Sequence, residues 1–331
     1  MAGFVLAGTL VGAASAQPAP ANNDLNAAQV GSVRTVQVNS AAAVSCTIGQ
    51  LTITRTSMCL DMNAYVDVLN NGRPVGRASF EIKHSMTLQA GKRNWKESLT
   101  VGKATLVNAS GIHMTVAVGA GKGITTKVDF PQGSTLGPVR KGAVAYKTSV
   151  GKKKQQLTKS SYRFTFTKAG YSVGSFKYYS AKYRCDDKLW GPKKRLKAPG
   201  CVFTGATPTI GMGDLRYIAE NIRNVRKKGG HYGQPGYGKP LHAMNNADQA
   251  RKNRNAVCGK AKPTAWERRH GLISCDEYPF ATTKEGGTKL PSSQRGIKFV
   301  PDKEQDTQGG RVSGFKKQYR VLDGDAFYVA I

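Results

Sequence analysis

The segments Tyr65-Val66-Asp67-Val68-Leu69, Asn70-Asn71-Gly72 and Val75 to Ile82 decide the fold class of the first part of the chain. β-Branched and aromatic residues occupy both flanks of the Asn-Gly pair. Such a pair favours the two-residue turn of a β-hairpin, because both turn positions take positive φ angles. We therefore expect two antiparallel strands joined by a tight turn.

The same two-residue periodicity continues from about residue 33 to residue 185, interrupted at short intervals by Gly and Pro. Segments with helical periodicity are lacking there, and this pattern is typical of an all-β domain. We expect an N-terminal antiparallel sandwich or barrel over residues 33–204, with roughly eight to ten strands. Beyond the hairpin, strands are predicted at 99–107, 112–118, 124–130, 142–149, 161–167 and 172–183.

The charge of the chain restricts the class of partner. Its 331 residues include 50 Lys and Arg but only 20 Asp and Glu, a formal net charge of +30. Two-thirds of the excess lies before residue 205, with 28 basic and 8 acidic residues. A hydrophobic content of 39% excludes wholesale disorder. The partner is therefore expected to be a polyanion: nucleic acid, an anionic envelope polymer or a lipid surface.

The N-terminus resembles a secretory signal peptide over residues 1–16. Residues 4–14 form an apolar run, and Ala14-Ser15-Ala16 is a small-x-small cleavage site, although a basic leader is missing. The alternative is a membrane anchor, but this run is too short to span ~30 Å of hydrocarbon at ~1.5 Å per residue. We expect a secreted, extracellular protein without stable membrane insertion, and a disordered linker at 17–32.

The cysteines form three local couples, which agrees with export. Their separations are 13, 16 and 17 positions, and none has the C-x-x-C spacing of zinc or redox sites. Three short-loop disulfides are predicted, each stabilising the fold by roughly 3 kcal/mol. The expected pairs are Cys46–Cys59, Cys185–Cys201 and Cys258–Cys275.

A second domain of α+β type is expected over residues 205–331. Helical spacing predicts a helix at 213–228 capped by Asp214, and a second helix at 246–257 that begins near Asn246 or Asp248. A Gly-rich loop at 229–240 separates the two helices. Short strands at 296–300 and 320–330 are expected to flank a Gly-rich turn at 309–314.

The most distinctive stretch of this domain runs from Cys275-Asp276-Glu277-Tyr278-Pro279 to Glu285-Gly286-Gly287. It places two adjacent carboxylates before a proline and a third carboxylate eight positions later. Carboxylates that gather in one part of a basic chain indicate a bound cation or acid–base chemistry.

This stretch resembles the bacterial secreted deoxyribonuclease family of NucA/NucB type, the DNA-entry and sporulation nucleases. The family signature is an Asp-Glu-aromatic-Pro run followed by Glu-Gly-Gly, and the resemblance extends over about residues 210–331. It implies a ββα-metal fold, one divalent cation (Mg²⁺ or Mn²⁺) and sequence-independent endonucleolytic hydrolysis of DNA. Further matching blocks are Lys252-Asn253-Arg254, Val300-Pro301, Gln308-Gly309-Gly310 and Asp323-Gly324-Asp325-Ala326-Phe327.

The resemblance assigns catalytic roles to three carboxylates. Phosphodiester hydrolysis needs a base that activates water and a cation that neutralises charge on the phosphate. Glu277 is the first candidate for the base, with Asp276 beside it to orient it or to bind metal, and Glu285 is the next carboxylate. For Asp276 a strand-end cap is the alternative.

The metal ligands depart from the family pattern. The family usually has Asn three positions before the Gln-Gly pair, on the helix of the ββα unit, where this chain has Gln305. Gln305 and Gln308 are the expected ligands, and Asp306 or Glu304 could replace Gln305, whose amide stands on a longer stem. The alternative is a non-catalytic DNA- or cell-envelope-binding protein derived from a nuclease.

Phosphate binding is assigned to Arg254, Asn253 and His270. A guanidinium holds phosphate with two donors, although pairing with a carboxylate would also explain Arg254. His270, like His231 and His242, could instead be an exposed loop residue. The basic β-domain is expected to hold DNA, with an anionic cell-wall or matrix polymer as the rival partner.

Overall fold

A computed structural model describes residues 22–37, 44–188 and 198–331. The expected signal peptide at 1–16 lies outside these residues. Within them, the chain up to Phe203 forms sixteen strands. These strands are β1 (Asn23–Gln29), β2 (Arg34–Gln37), β3 (Gln50–Ile53), β4 (Ser57–Asn70), β5 (Arg73–Thr87), β6 (Asn94–Val101), β7 (Thr105–Val107), β8 (His113–Gly119), β9 (Ile124–Asp129), β10 (Ser134–Thr135), β11 (Arg140–Thr148), β12 (Gln155–Thr158), β13 (Ser161–Thr167), β14 (Gly174–Tyr179), β15 (Tyr183–Asp186) and β16 (Gly200–Phe203).

The predicted hairpin is the backbone of the largest sheet. β4 and β5 pair antiparallel from Ser57↔Thr87 to Asn70↔Arg73. The turn places Asn71 at φ 48° and Gly72 at φ 75°, the positive angles that an Asn-Gly turn requires. The prediction of a hairpin at this point is confirmed.

Two sheets enclose the first core. One has nine strands, in the order β2-β3-β4-β5-β6-β11-β9 with β1 on β4 and β7 on β5; the other has the order β10-β8-β13-β14. Their inward residues pack together, as the ring centroids of Phe80 and Phe166 show at 5.8 Å. A small sheet, β12-β15-β16, completes this part. The β-rich class is confirmed. The barrel alternative is wrong for the described residues, since β2 and β9 are free ends of an open sheet.

The expectation of a disordered linker at 17–32 is wrong for β1. Asn23–Gln29 pairs with β4 from Asn23↔Asn70 to Gln29↔Ala64. Leu25 and Ala27 are buried in the first core. The long β4 offers an unpaired edge next to an apolar core, and this outweighs the Ala- and Asn-rich composition of the segment.

The second part of the chain has its own core, from Ile210 to Val329. Its elements are β17 (Thr209–Gly211), α1 (Arg216–Lys227), β18 (Leu241–His242), α2 (Ala247–Cys258), α3 (Ala265–Arg269), β19 (Ser274–Tyr278), a 3-10 turn (Ser292–Gln294), β20 (Gly296–Val300), α4 (Asp302–Gln318) and β21 (Ala326–Ala330). β17-β21-β18 form one sheet, and β19 pairs antiparallel with β20. β19, β20 and α4 follow one another along the chain as two paired strands and a helix.

Two local predictions in this part need correction. The Gly-rich segment 309–314 lies inside α4 and is not a turn. Acidic residues in the first turn of α4 and Lys316 and Lys317 in its last turn favour the helix through its dipole. Phe315 anchors the helix in the core. The C-terminal strand consequently begins at Ala326.

Asp214 does not cap α1. The N-cap position is Leu215, which offers no side-chain hydrogen bond. The Asp214 carboxylate instead pairs with Arg311 of α4, with Oδ2 at 2.8 Å from the guanidinium. The second helix behaves as predicted, because the Asn246 side chain accepts a hydrogen bond from the Gln249 N–H.

The three cysteine couples lie at disulfide distance. Their Cα–Cα separations are 5.1 Å for Cys46–Cys59, 4.1 Å for Cys185–Cys201 and 6.0 Å for Cys258–Cys275. In the described part of the chain, no helix is long and apolar enough to cross a membrane.

A buried ionic network joins the two cores. Arg320, which is 0% exposed, donates to Asp186 of β15 at 2.7 Å. Asp325, which follows α4, accepts from Arg184 at 2.7 Å and from Arg55 at 2.6 Å. Since such charges are costly to separate once buried, the network fixes the C-terminal part against the β-sheets.

Candidate functional site

β19 places the two adjacent carboxylates of the motif on opposite faces. Successive side chains of a strand point to opposite sides of the sheet. Asp276 accordingly faces α1 and α4, and Glu277 faces α2. Both are buried, with 1% and 7% of their surfaces exposed. The structure therefore does not bring these two carboxylates together.

The carboxylate of Asp276 is held by two neutral amides. Asn221 of α1 donates its Nδ2 to Oδ2 at 2.8 Å, and Gln308 of α4 donates its Nε2 to Oδ1 at 2.8 Å. Burial raises the pKa of Asp276 to about 7, although the two amide hydrogen bonds act in the opposite direction. Asp276 is thus a buried carboxyl group that binds and releases a proton near neutral pH.

Gln305 extends this arrangement along α4. Its Nε2 donates to Oε1 of Gln308 at 3.1 Å, so the two side chains form a chain of amides that ends on Asp276. Oε1 of Gln305 is buried and has no hydrogen-bond partner within the described residues. Buried polar atoms are almost always satisfied, so this oxygen is available to a ligand of positive character.

The two acidic candidates for metal binding on α4, Glu304 and Asp306, lie apart from Asp276. Oε2 of Glu304 accepts the backbone N–H groups of Tyr217 at 3.0 Å and Ile218 at 3.2 Å. Glu304 therefore caps the N-terminus of α1, which lacks a cap of its own. Asp306 is exposed on α4.

Glu277 forms an ion pair on the other face. Arg254 of α2 approaches its Oε2 with Nη1 at 3.2 Å and donates Nη2–H to the Cys275 carbonyl at 2.7 Å. Burial raises the pKa of Glu277, while the charge of Arg254 opposes the rise. The pairing of Arg254 with a carboxylate, which the sequence left open as the alternative to phosphate binding, is present.

An open cleft of about 200 Å³ lies on this face. Glu277 lines it together with Val257, Gly287, Arg295 and Ile297. The Nε of Arg295 donates to the Leu290 carbonyl at 3.0 Å. The lining of the cleft thus includes one carboxylate, paired with Arg254, and one arginine, Arg295.

Residues 232–330 match the family model of Deoxyribonuclease NucA/NucB. This confirms the family that the motifs of the sequence indicate, for that part of the chain. Comparisons with curated proteins and with solved structures found no significant match.

Within the matched residues, Glu285 orients a histidine. Its Oε2 accepts the His242 backbone N–H at 2.9 Å, and its Oε1 lies 2.7 Å from Nδ1 of the same residue. The His242 side chain is 42% exposed. Sequence reasoning placed His242 only beside a loop, because the contact joins residues 43 positions apart.

Asn253 packs against residues 281–287 of the motif. It is buried, and its Nδ2 donates to the Ala281 carbonyl at 3.0 Å. A Cβ at Gly287, where φ is +71°, would come within 3.0 Å of the Asn253 Cα. Glycine at position 287 is therefore needed for close backbone packing.

Two further residues complete the placement. His270 is exposed, and its ring stacks on Trp266 with centroids 4.0 Å apart. Asn221 was not among the expected site residues, although it is 2% exposed and contacts Asp276. The sequence carried no local signal for this contact, because it joins residues 55 positions apart.

Proposed function

We propose that this chain is a secreted, metal-dependent endodeoxyribonuclease that hydrolyses DNA without sequence specificity. The observation that carries the proposal is the clamp on Asp276, in which amides from α1 and α4 hold both carboxylate oxygens. The NucA/NucB match supplies the reaction class. The arrangement of β19, β20 and α4 is consistent with a ββα-metal unit.

The oxygens beside Asp276 fit a hard divalent cation. Mg²⁺ and Mn²⁺ prefer carboxylate and amide oxygens, and Oε1 of Gln305 is buried without a partner in the described residues. Gln305 and Gln308 would hold the ion next to Asp276. When bound, the cation would neutralise the charge that develops on the phosphate. In the described residues no cluster of three His, Cys, Asp or Glu offers another metal site.

Asp276 and the two amides that hold it then have separate roles. Asp276 accepts the proton of the attacking water, and its raised pKa suits that transfer near neutral pH. Asn221 and Gln308 keep the carboxylate in one orientation. Asp276 would thus act as the base in place of Glu277, the first candidate from the sequence, because Glu277 faces Arg254 on the opposite side of the strand.

The β-domain would hold the substrate on the outer face of β13 and β14. Arg163 and Lys177 are exposed cross-strand neighbours. The ammonium groups of Lys159 and Lys177 lie 3.7 Å and 5.2 Å from the centroid of Tyr179, which is 44% exposed. Such a basic and aromatic surface suits a polyanion, either DNA or the rival cell-wall polymer. The three cysteine couples support an extracellular location.

The burial of Asp276 favours a second function. Asp276 is 1% exposed and both of its oxygens are already engaged. With Gln305 in the position of the family Asn, the domain could bind DNA without cleaving it.

A plasmid-nicking assay separates the two functions. Supercoiled DNA is incubated with the whole protein and Mg²⁺ or Mn²⁺, with and without chelator, and the variant Asp276→Asn is run in parallel. Metal-dependent nicking that Asp276→Asn abolishes supports the enzyme. Retained DNA binding with no nicking in either metal supports the non-catalytic function.

A further inference from the structure

The Cys258–Cys275 disulfide closes a loop that starts and ends at the cleft. Val257, one residue before the loop, and Glu277, two residues after it, both line the cleft. The loop carries the short helix α3, Ala265–Arg269. Whatever α3 presents is therefore tied at both ends to the Glu277 face.

α3 presents an exposed tryptophan in a fixed position. Trp266 is 54% exposed, and one side of its ring stacks on His270 with an interplanar angle of 24°. A capping box fixes the helix start, in which Thr264 and Glu267 exchange hydrogen bonds. Nδ1 of His270 lies 2.7 Å from the Trp266 carbonyl, which fixes the second ring.

The surroundings of Trp266 are cationic. Between the two cysteines the loop contains Lys260, Lys262, Arg268 and Arg269, all exposed, against a single acidic residue, Glu267. The Glu267 carboxylate accepts the Thr264 N–H at 2.7 Å and is thus engaged within the helix. Single exposed apolar residues are ordinary on protein surfaces, but a half-exposed indole in a loop that carries four exposed cations is a specific combination.

We propose that Trp266 is a stacking platform for an unpaired nucleobase of the DNA strand, with the loop cations along its phosphates. A base would continue the stack that His270 begins, on the side of the indole opposite His270. Aromatic platforms of this kind bind single strands without sequence preference, since every base has a π-face. The inference rests on the proposed function in taking DNA as the ligand, and it adds a preference for single-stranded or locally melted DNA.

The test measures binding to the intact protein in the presence of chelator, so that cleavage does not interfere. The probes are a fluorescein-labelled oligothymidylate, a duplex of equal length and inorganic polyphosphate. Trp266→Leu keeps apolar bulk without a π-system, Trp266→Phe keeps the π-system, and Ile273→Ala removes an equally exposed apolar residue from the same loop.

Trp266→Leu should weaken oligothymidylate binding about 5- to 100-fold and change polyphosphate binding less than about twofold. Trp266→Phe should recover most of the affinity, and Ile273→Ala should resemble wild type. In a Trp190→Phe background, oligothymidylate should also quench the tryptophan emission more when Trp266 is present than in Trp266→Phe, because Trp95, the remaining tryptophan, is buried at 3% exposure.

Equal oligothymidylate affinities for wild type and Trp266→Leu would overturn the inference. So would a loss that is the same for polyphosphate, which would indicate charge or folding effects instead of stacking. The two proposals fail separately. Stacking without nicking in either metal removes the nuclease function alone, and nicking with unchanged Trp266→Leu binding removes the platform alone.

Discussion

The two faces of β19 hold neighbouring carboxylates by different means. On one face, Asp276 lies between neutral amides of α1 and α4. On the other, Glu277 lies beside the guanidinium of Arg254, at the rim of an open cleft. Neutral donors orient a carboxylate without supplying a counter-charge, whereas the charge of Arg254 opposes the rise that burial causes in the pKa of Glu277. Of the two, Asp276 is therefore the carboxylate that is better suited to take up and release a proton.

The largest expected effect is that of Asp276→Asn on DNA cleavage. Loss of a general base typically lowers the rate about 10²–10⁴-fold. The amide of Asn has nearly the same shape as the carboxylate, but its Nδ2 faces an amide donor unless Asn221 or Gln308 turns its amide over. Thermal unfolding checks that the variant keeps the fold. The measurement is the initial rate of plasmid nicking with Mg²⁺ or Mn²⁺.

Glu277→Gln is the matched control, since it makes the same chemical change one residue away. We expect it to retain cleavage within about tenfold of wild type, because it removes no proton acceptor from the Asp276 face. If Glu277→Gln were the inactive variant and Asp276→Asn the active one, the assignment of the two faces would be reversed.

The second prediction concerns the disulfide that holds the Glu277 face. Replacing Cys258 and Cys275 together by Ser opens a loop with a sequence separation of 17. The free energy of unfolding should fall by about 2–4 kcal/mol, measured by urea denaturation of the whole protein. Cleavage at saturating metal should fall less than in Asp276→Asn, since the amide clamp lies on the other face. A loss of cleavage as large as that of Asp276→Asn in the folded protein would show that the two faces act as one site.

The third prediction breaks the ion pair itself. Arg254→Met removes the charge beside Glu277, whose side chain is 9% exposed, while Arg254 itself is 37% exposed. Since part of the pair is open to water, its contribution is discounted, and we expect a loss of about 1 kcal/mol in the free energy of unfolding. Arg254→Lys keeps the charge but loses the second donor to the Cys275 carbonyl. Its free energy of unfolding should therefore lie between those of wild type and Arg254→Met. An unchanged unfolding curve for Arg254→Met, together with weaker DNA binding, would instead make Arg254 a phosphate ligand.

Sequence reasoning identified the motif but not its geometry. The two-residue period separates Asp276 from Glu277 only once residues 274–278 are known to be a strand, and five residues between a loop and a proline give no such signal. Asn221 and Asp276 lie 55 positions apart, and Glu304 caps a helix that begins 88 residues earlier. Contacts at such separations depend on tertiary packing. The hairpin at Asn71-Gly72 and the cap at Asn246 were predictable because each is a local interaction.

The smallest expected effect is that of Gln305→Asn, which installs the residue that the family usually has. The unpartnered Oε1 of Gln305 stands on a stem one carbon longer than that of Asn, so the oxygen that would contact a cation shifts by about an ångström. If this oxygen holds the ion, Gln305→Asn should change the metal concentration for half-maximal nicking by less than about tenfold and leave DNA binding in chelator unaltered. The direction is informative: a lower metal requirement means that Gln305 weakens the site, and a higher one means that the rest of α4 has adjusted to the longer stem. Gln305→Leu is the control, since it has similar length and no oxygen. Equal metal dependence for Gln305→Leu and wild type would remove Gln305 from the metal site and leave the Asp276 clamp without a cation ligand on this turn of α4.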